Sequence, residues 1–318
     1  MIRTENLTKQ YNGIEVVKKL ALQVEQGDIY GFLGPNGAGK TTTIMMLLGL
    51  LQPTSGTVLL MGEAMNFHRV DLKKRIGVVS ENQYFYGEMT AQEYLEFFGE
   101  LYGVPSYRKR IDHLTEAVGL AGDRNKKINA YSKGMQQKLA FSRALLHDPE
   151  LLILDEPVAN LDPSSIKQVR DLIEEENRNG RTIFVSSHLL SEVERLCKRV
   201  GIIHKGQLLA EDSMDTIKRR LSNSVTLHIE LDREAPALVD ILIKLDYVQG
   251  AEVSDARNRI TVNLKTDRDN RSDLSRTIFE HGYSVLSMKT KEMSLEEAFM
   301  TITQHNISLL ASQEETRP

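Results

Sequence analysis

Residues 34–41 have the composition and spacing of a phosphate-binding loop between a strand and a helix. The apolar run Ile29 to Leu33 predicts a buried strand before the loop, and residues 42–48 predict the start of a helix after it. The glycines let successive backbone N–H groups converge on one anion, and the helix N-terminus adds donors. Lys40 can then reach the β- and γ-phosphates of a nucleotide, and the Thr41 hydroxyl can bind Mg²⁺. The predicted phosphate-binding residues are Gly34, Pro35, Asn36, Gly37, Ala38, Gly39, Lys40, Thr41 and Thr42.

An acidic pair, Asp155 and Glu156, follows the branched apolar run Leu151 to Leu154. Such a run predicts a strand buried on both faces, and ligands gather at the carboxyl edge of parallel sheets. Asp155 is placed to hold the Mg²⁺ shell, and Glu156 to polarise a water toward the γ-phosphate. Two adjacent acids can also form a solvated turn, but their position downstream of Lys40 favours catalysis.

Three further residues could take part in the same site. Glu81 follows the apolar run Ile76 to Val79, although on its own it could be a solvated loop carboxylate. His188 ends another apolar strand; a lone histidine is usually a satisfied core residue, but its place at a strand end favours function. Tyr11, before the Asn12-Gly13 turn, could be a core or edge aromatic or could stack on a purine.

The bulk composition is that of a soluble globular protein, and the length of 318 residues predicts two domains. A net charge of −4 argues against nucleic-acid binding. The single cysteine, Cys197, excludes an intramolecular disulfide and fits a reducing compartment. Residues 1–10 lack the apolar core of a signal peptide, and no apolar run is long enough to span a membrane. We therefore expect that this chain does not cross a membrane by itself.

Periodicity divides the chain into contrasting segments. Short strands are predicted over residues 2–33, and a helical insert is predicted over about 84–146. From residue 223 the pattern changes to alternating strands and helices in the order βαββαβ, which predicts a small α+β domain of ferredoxin-like type. A capping box at Ser294 predicts a last helix from Leu295 to Thr303, and residues 306–318 are expected to be a disordered tail.

The segment Tyr131-Ser132-Lys133-Gly134-Met135-Gln136-Gln137-Lys138 resembles the signature of ATP-binding-cassette (ABC) ATPases. Its Tyr-Ser-Lys-Gly-Met form is similar to cassettes that serve ABC-2-type exporters. The resemblance covers about residues 2–220, and its elements occur in the family order. These elements are Tyr11, the loop 34–41, Glu81, the signature, Asp155-Glu156, Asn160-Leu161-Asp162 and His188.

The resemblance implies an α/β fold. The cassette, residues 1–220, would contain a RecA-like parallel-sheet core, an antiparallel β subdomain and the helical subdomain 84–146. Residues 223–305 are similar to the accessory domain that follows many of these cassettes. That domain could stabilise the dimer or could have a regulatory role.

The resemblance also implies the site and the partners. Two copies of the chain would face each other head to tail with ATP and Mg²⁺ between them, and the Ser132 hydroxyl and Gly134 backbone of one would close over the γ-phosphate on the other. Tyr11 would stack on adenine, and Asp162 would also contribute to the nucleotide site. Thr41, Asp155 and Glu81 would hold Mg²⁺, Glu156 would orient water, and His188 would sense the γ-phosphate.

The implied activity is ATP hydrolysis coupled to separate transmembrane permease subunits of an exporter, which would dock near residues 81–98. The chain would then lie in the cytoplasm on the inner face of the membrane, with membrane contact only through the permease. A homodimer with two equal sites is expected, and no nucleic-acid partner.

The sequence departs from the family pattern at three places. Glu81 stands where the lid loop usually has Gln, and Gln83 lies two residues later. Lys133 and Met135 replace Gly and Gln of the signature, and residues 157–160 have Val158 and Asn160 where Thr and Gly are frequent. None of these changes removes a catalytic group, so we expect a competent ATPase.

Other functional classes fit less well. A soluble ABC ATPase acting on DNA needs a long heptad insert, and one acting on ribosomes needs two cassettes in one chain. A P-loop kinase or GTPase lacks a signature segment. A regulator that binds ATP without hydrolysing it would not need Glu156.

Overall fold

The computed structural model describes residues 1–221, 224–254, 256, 258–265, 269–291 and 294–300. Two compact units are present, the first over Met1–Met214 and the second over Asp215–Ile302. The predicted tail 306–318 and the end of the predicted last helix, 301–303, lie outside the described residues.

The strands and helices of both units are numbered in chain order. The strands are β1 (Ile2–Tyr11), β2 (Ile14–Leu20), β3 (Gln23–Val24), β4 (Ile29–Leu33), β5 (Ser55–Leu60), β6 (Glu63–Ala64), β7 (Ile76–Val79), β8 (Leu151–Asp155), β9 (Thr182–Ser187), β10 (Arg199–His204), β11 (Gln207–Ser213), β12 (Ser224–Leu231), β13 (Val248–Val253), β14 (Arg259–Lys265) and β15 (Val285–Lys291). The helices are α1 (Lys40–Leu47), α2 (Val70–Lys73), α3 (Ala91–Leu101), α4 (Tyr107–Ala117), α5 (Lys133–Leu145), α6 (Pro163–Arg178), α7 (Leu190–Leu196), α8 (Met214–Leu221), α9 (Pro236–Leu242) and α10 (Arg271–Glu280), with a 3₁₀ turn at Ile128–Ala130 and helical residues at 295–300.

A six-stranded sheet forms the centre of the first unit, in the order β11-β10-β4-β9-β8-β7. Strands β4, β7, β8, β9 and β10 are parallel, and β11 is antiparallel to β10. Every residue of β4, β8 and β9 is buried, as continuous apolar runs predict for a sheet covered on both faces. Because neighbouring parallel strands end at the same edge, the residues that follow β4, β7, β8 and β9 are brought together. The predicted α/β cassette fold is confirmed.

A second, antiparallel sheet lies in the same unit, in the order β2-β1-β5-β6 with β3 paired to β1. The predicted turn between β1 and β2 is confirmed: Asn12 and Gly13 join them as a two-residue hairpin with φ of 49° and 84°. The segment between β7 and β8 contains α3, α4 and α5, as the helical pattern predicts. Thr90 and Glu93 begin α3 with a capping box that we did not predict.

The second unit is a four-stranded antiparallel sheet in the order β13-β14-β12-β15, with α9 and α10 between its strands. The alternation in β12 is confirmed, because Leu227, Ile229 and Leu231 are buried in the core of this unit. The element order βαββαβ is the one that ferredoxin-like domains have. Ser294 and Glu297 form the predicted capping box: the Ser294 N–H donates to Glu297 Oε2 (2.9 Å), and the Glu297 N–H donates to Ser294 Oγ (3.2 Å).

Helix α6 was not predicted, although its signals are present. Asp162 is its N-cap and Pro163 its first residue, a frequent combination at helix starts. Val169, Leu172 and Ile173 then supply a buried face at helical spacing. Within the described residues, none of the helices has the length and apolarity needed to cross a lipid bilayer.

Replacing Gly31 by Ala should lower the free energy of unfolding by about 1–3 kcal/mol. Gly31 lies in β4, where a Cβ would come within 2.5 Å of Val193 Cγ1 on α7 and within 3.2 Å of Cys197 Sγ. Urea unfolding would measure the change. The control Gly122→Ala adds a methyl group in open space and should change the stability by less than about 0.5 kcal/mol. Equal stability of Gly31→Ala and wild type would contradict this packing.

Candidate active site

The loop between β4 and α1 presents an anion-binding helix terminus. Gly39, the N-cap of α1, has φ of 105° in the left-handed region, which glycine adopts without steric cost. Because Gly39 has no side chain to accept hydrogen bonds, the first N–H groups of α1 are left for a ligand. Residues outside the loop hold it in place. The Gly206 N–H donates a hydrogen bond to Ala38 O (2.9 Å), and Val16 O packs so close that a Cβ at Gly39 would lie only 2.9 Å from it.

A cavity of about 160 Å³ opens at this loop. Nine of its ten lining residues were predicted from the sequence to bind phosphate or Mg²⁺ or to act on water; the tenth is Val16 of β2. The lining residues are Val16, Pro35, Asn36, Gly37, Gly39, Lys40, Thr41, Thr42, Glu81 and Glu156. Gly34 and Ala38 belong to the loop but do not line the cavity.

Lys40 is buried, and its ammonium group lies inside the loop. Its Nζ donates to Gly34 O at 2.7 Å and to Pro35 O at 3.4 Å, and it lies 3.3 Å from Glu156 Oε1. The loop carbonyls and one carboxylate therefore hold the cation at the cavity wall, where it can meet a phosphate oxygen.

Asp155 ends β8 beside the loop. Its Oδ1 accepts a hydrogen bond from Ser186 Oγ of β9, and its Oδ2 lies 3.4 Å from Thr41 Oγ1. Burial raises the pKa of Asp155 and the nearby Glu156 charge raises it further, while the hydrogen bonds from Ser186 and Thr41 lower it. A divalent cation would offset the cost of burying this carboxylate, and the oxygens of Thr41, Asp155 and Glu81 are the hard ligands that Mg²⁺ prefers.

Glu156 is held on both carboxylate oxygens. Oε1 faces Lys40, while Oε2 lies 2.8 Å from His188 Nδ1 and accepts from the His188 backbone N–H at 3.3 Å. The Glu156 N–H donates to Ser186 O (3.1 Å), and its φ of 50° is a left-handed conformation uncommon for residues other than glycine. The side chain of this residue thus lies between Lys40 and His188.

Besides Gly34 and Ala38, four predicted nucleotide-binding residues do not line the cavity. Tyr11 is 45% exposed at the end of β1, with Lys9 Nζ 5.1 Å from its ring centroid. Ser132 is the exposed N-cap of α5, and Gly134 lies buried in the first turn of that helix. Asp162 caps α6, and hydrogen bonds from the Ser165 and Ser164 side chains hold its pKa well below the usual range.

Two departures from the family pattern have a structural account. Gln83 Nε2 donates to Ser80 O (2.5 Å), and its Oε1 accepts from Arg143 Nη2 (3.1 Å), so this amide is engaged while Glu81 lines the cavity. Asn160 has φ of 59°. Asn adopts this region more readily than most residues, so it can stand where glycine is frequent.

Ser186 is the positioning residue that sequence reasoning missed. Its hydroxyl donates to Asp155 Oδ1, and its backbone carbonyl (3.1 Å) and hydroxyl oxygen (3.3 Å) both accept from the Glu156 N–H. The sequence signal was the pair Ser186-Ser187 directly before His188, but the sequence does not tell which of the two hydroxyls meets Asp155.

The chain is similar to the ATP-binding proteins of ABC transporters. A family model described as ABC transporter matches residues 17–159. The bacitracin transport ATP-binding protein BcrA of Bacillus licheniformis is 42% identical over 303 residues, which are 95% of this chain and 97% of the relative. The linearmycin resistance ATP-binding protein LnrL of Bacillus subtilis is 32% identical over 305 residues, which are 95% of this chain and 98% of the relative.

Solved structures show the same fold. A structure of an ATP-binding subunit of an ABC transporter matches with a TM-score of 0.64 and 29% identity, covering 69% of this chain and 92% of that one. A dimeric ATP-binding cassette in a post-hydrolysis state bound to ADP and Pi matches with a TM-score of 0.60 and 26% identity, covering 67% of this chain and 99% of that one.

Ser186→Ala should slow ATP turnover by about ten- to a hundredfold, since a hydrogen bond to a charged group is worth about 1.5–3 kcal/mol. The reason is that Asp155 loses its buried donor and the Glu156 N–H loses one of its two acceptors. Ser187→Ala is the matched control, because the Ser187 hydroxyl accepts from the Leu189 N–H instead. A steady-state phosphate-release assay measures both variants, and an equal loss in the two would contradict the role of Ser186.

Proposed function

This chain belongs to the ATP-binding subunits of ABC transporters, and on that premise we propose that it powers the export of a peptide antibiotic through separate permease chains. It binds nucleotide and, like the family, is an ATPase. The observation that carries the proposal is the similarity to a bacitracin transport ATP-binding protein along almost the whole length of both chains.

In the proposed reaction, Lys40 and unpaired backbone N–H groups of the phosphate loop and of the first turn of α1 bind the ATP phosphates. Glu156 accepts a hydrogen bond from the attacking water and orients it toward the γ-phosphate. His188 fixes the carboxylate from one side, as its 2.8 Å contact with Glu156 Oε2 supports. Thr41, Asp155 and Glu81 would hold Mg²⁺, which when bound neutralises charge on the β- and γ-phosphate oxygens.

A head-to-tail homodimer would complete each site. The support lies in the distribution of residues: most of the phosphate loop lines one cavity together with Glu156, whereas Ser132 and Gly134 are not among the residues that line it. A second copy could bring its signature residues to the open side of that cavity. Tyr11, exposed at the end of β1, would stack on the adenine.

The permease would dock on an aromatic surface around α3. Five large apolar side chains are exposed there, and rings of this group contact one another, as Tyr86 with Phe97 (centroids 6.1 Å apart). Contiguous exposed apolar surface of this kind marks an interaction site. Docking would place the chain on the cytoplasmic face of the membrane. The exposed residues are Tyr84, Tyr86, Phe97, Leu101 and Tyr102.

Glu156→Gln should lower ATP turnover by about 10²- to 10⁴-fold, the contribution typical of a positioned acid–base group. Nucleotide should still bind, because Lys40 and the loop are unchanged, and an ATP-bound dimer should accumulate in analytical ultracentrifugation. Glu174→Gln, at an exposed position of α6, is the control and should hydrolyse ATP at the wild-type rate. Normal turnover in Glu156→Gln would refute the proposed role.

In the native host, the double variant Tyr86→Ala/Phe97→Ala should remove this chain's contribution to bacitracin resistance while the purified variant keeps its basal ATPase rate. The reason is that these rings contact the permease and not the nucleotide. The inhibitory bacitracin concentration measures the effect. Phe279→Ala, which truncates an exposed aromatic of α10, should leave resistance intact. Unchanged resistance after deletion of the gene would instead exclude bacitracin as cargo.

A further inference from the structure

A close contact joins the signature segment to the start of α6. Gly134 is buried in the first turn of α5, and a Cβ on it would lie 2.5 Å from Ser165 Oγ and 3.3 Å from Ser165 Cβ. Real Cβ atoms essentially never approach another heavy atom as closely as 2.5 Å. Ser165 therefore occupies the space that any side chain at position 134 would need.

The Ser165 hydroxyl is anchored and cannot turn aside without loss. Its Oγ donates to Asp162 Oδ2 at 2.6 Å, and its backbone N–H donates to Asp162 Oδ1 at 3.1 Å. Ser164 also donates its hydroxyl to Asp162, at 2.7 Å, but does not face Gly134. Moving the Ser165 hydroxyl would therefore release one oxygen of the residue that caps α6.

A second contact ties the signature segment to the connection that leads into α6. Gln137 Nε2, one turn further along α5, donates to Pro157 O at 2.8 Å. Pro157 directly follows Glu156. Helix α5 therefore contacts both the beginning of the connection between Glu156 and α6, at Pro157, and the residues just after its end, at Ser165.

We propose that Ser165 is a positioning residue that sets the spacing between the signature residues and Asp162, so that both are presented to a facing subunit as one rigid unit. This inference rests on the proposed head-to-tail dimer, in which the signature residues of one copy meet the nucleotide of the other. Glycine is then needed at position 134 to leave room for Ser165 of the same chain, apart from any contact that Gly134 makes with the nucleotide.

Suppression of a substitution at Gly134 tests the proposal. Gly134→Ala alone should slow ATP turnover by about tenfold or more, because the added methyl group displaces Ser165 and so changes the spacing between the signature residues and Asp162. Adding Ser165→Gly removes both clashing atoms and should restore turnover to within about threefold of Ser165→Gly alone. The matched control, Ser164→Gly added to Gly134→Ala, loses an equivalent hydrogen bond to Asp162 and should restore nothing.

Nucleotide affinity separates this role from general damage. Because the phosphate loop is untouched, the dissociation constant of a fluorescent ATP analogue should match wild type in all variants, while turnover and ATP-driven dimerisation change together. Failure of Ser165→Gly to rescue Gly134→Ala, or equal rescue by Ser164→Gly, would overturn the proposal. Absence of any ATP-driven dimer of the wild-type chain would refute the proposed dimer, a result distinct from failed rescue of turnover.

A second pair of variants approaches the contact from α6, in case Gly134→Ala does not fold. Ser165→Thr keeps the hydroxyl and adds a methyl group to the Cβ atom that already packs against Gly134, so turnover should fall, while Ser164→Thr should hydrolyse ATP normally. Circular dichroism confirms folding of each variant. Equal turnover of Ser165→Thr and Ser164→Thr would overturn the proposal.

Discussion

The burial of two adjacent carboxylates at the end of β8 is the constraint on which the rest of the site depends. Taking each charge out of water costs of the order of several kcal/mol, so partners must be supplied from other elements. Lys40 begins α1 after the phosphate loop, Ser186 lies on β9, and His188 directly follows β9. The parallel order of these strands is what brings the partners to one edge of the sheet.

Local backbone conformations direct these groups toward the cavity. Glu156 and Gly39 both have positive φ, one at a strand end and the other at a helix start. The left-handed backbone conformation of Glu156, which residues other than glycine rarely adopt, costs of the order of 1–3 kcal/mol. It is stabilised by the backbone hydrogen bond to Ser186 and by the side-chain contacts with Lys40 and His188. The polar ends of neighbouring strands thus stabilise the strained residue on which catalysis would depend.

The site is also connected outward to the surfaces that partners would use. From Glu156 the chain runs through Pro157, which accepts from Gln137 of α5, to Asp162 at the start of α6. In the helical segment, Arg143 on the same α5 donates to Tyr94 Oη of α3 and to Gln83. A small set of polar contacts therefore joins the acidic pair, the signature helix and the exposed aromatic helix within one unit.

The sequence by itself determined the elements whose signals are local. The phosphate loop, the buried apolar strands, the Asn12-Gly13 hairpin and the alternation of β12 follow from backbone preferences and from burial of every second or every successive residue. The roles of Ser186, Val16 and Ser165 came only from the tertiary structure. Their partners lie on strands or helices distant in the chain, so no periodicity records these contacts. Helix α6 has a local start signal in Asp162 and Pro163, but Asp162 also belongs to the motif 160–162, so the sequence alone does not separate the two roles. Strand order decides which polar side chains meet, and that order depends on the packing of the whole sheet.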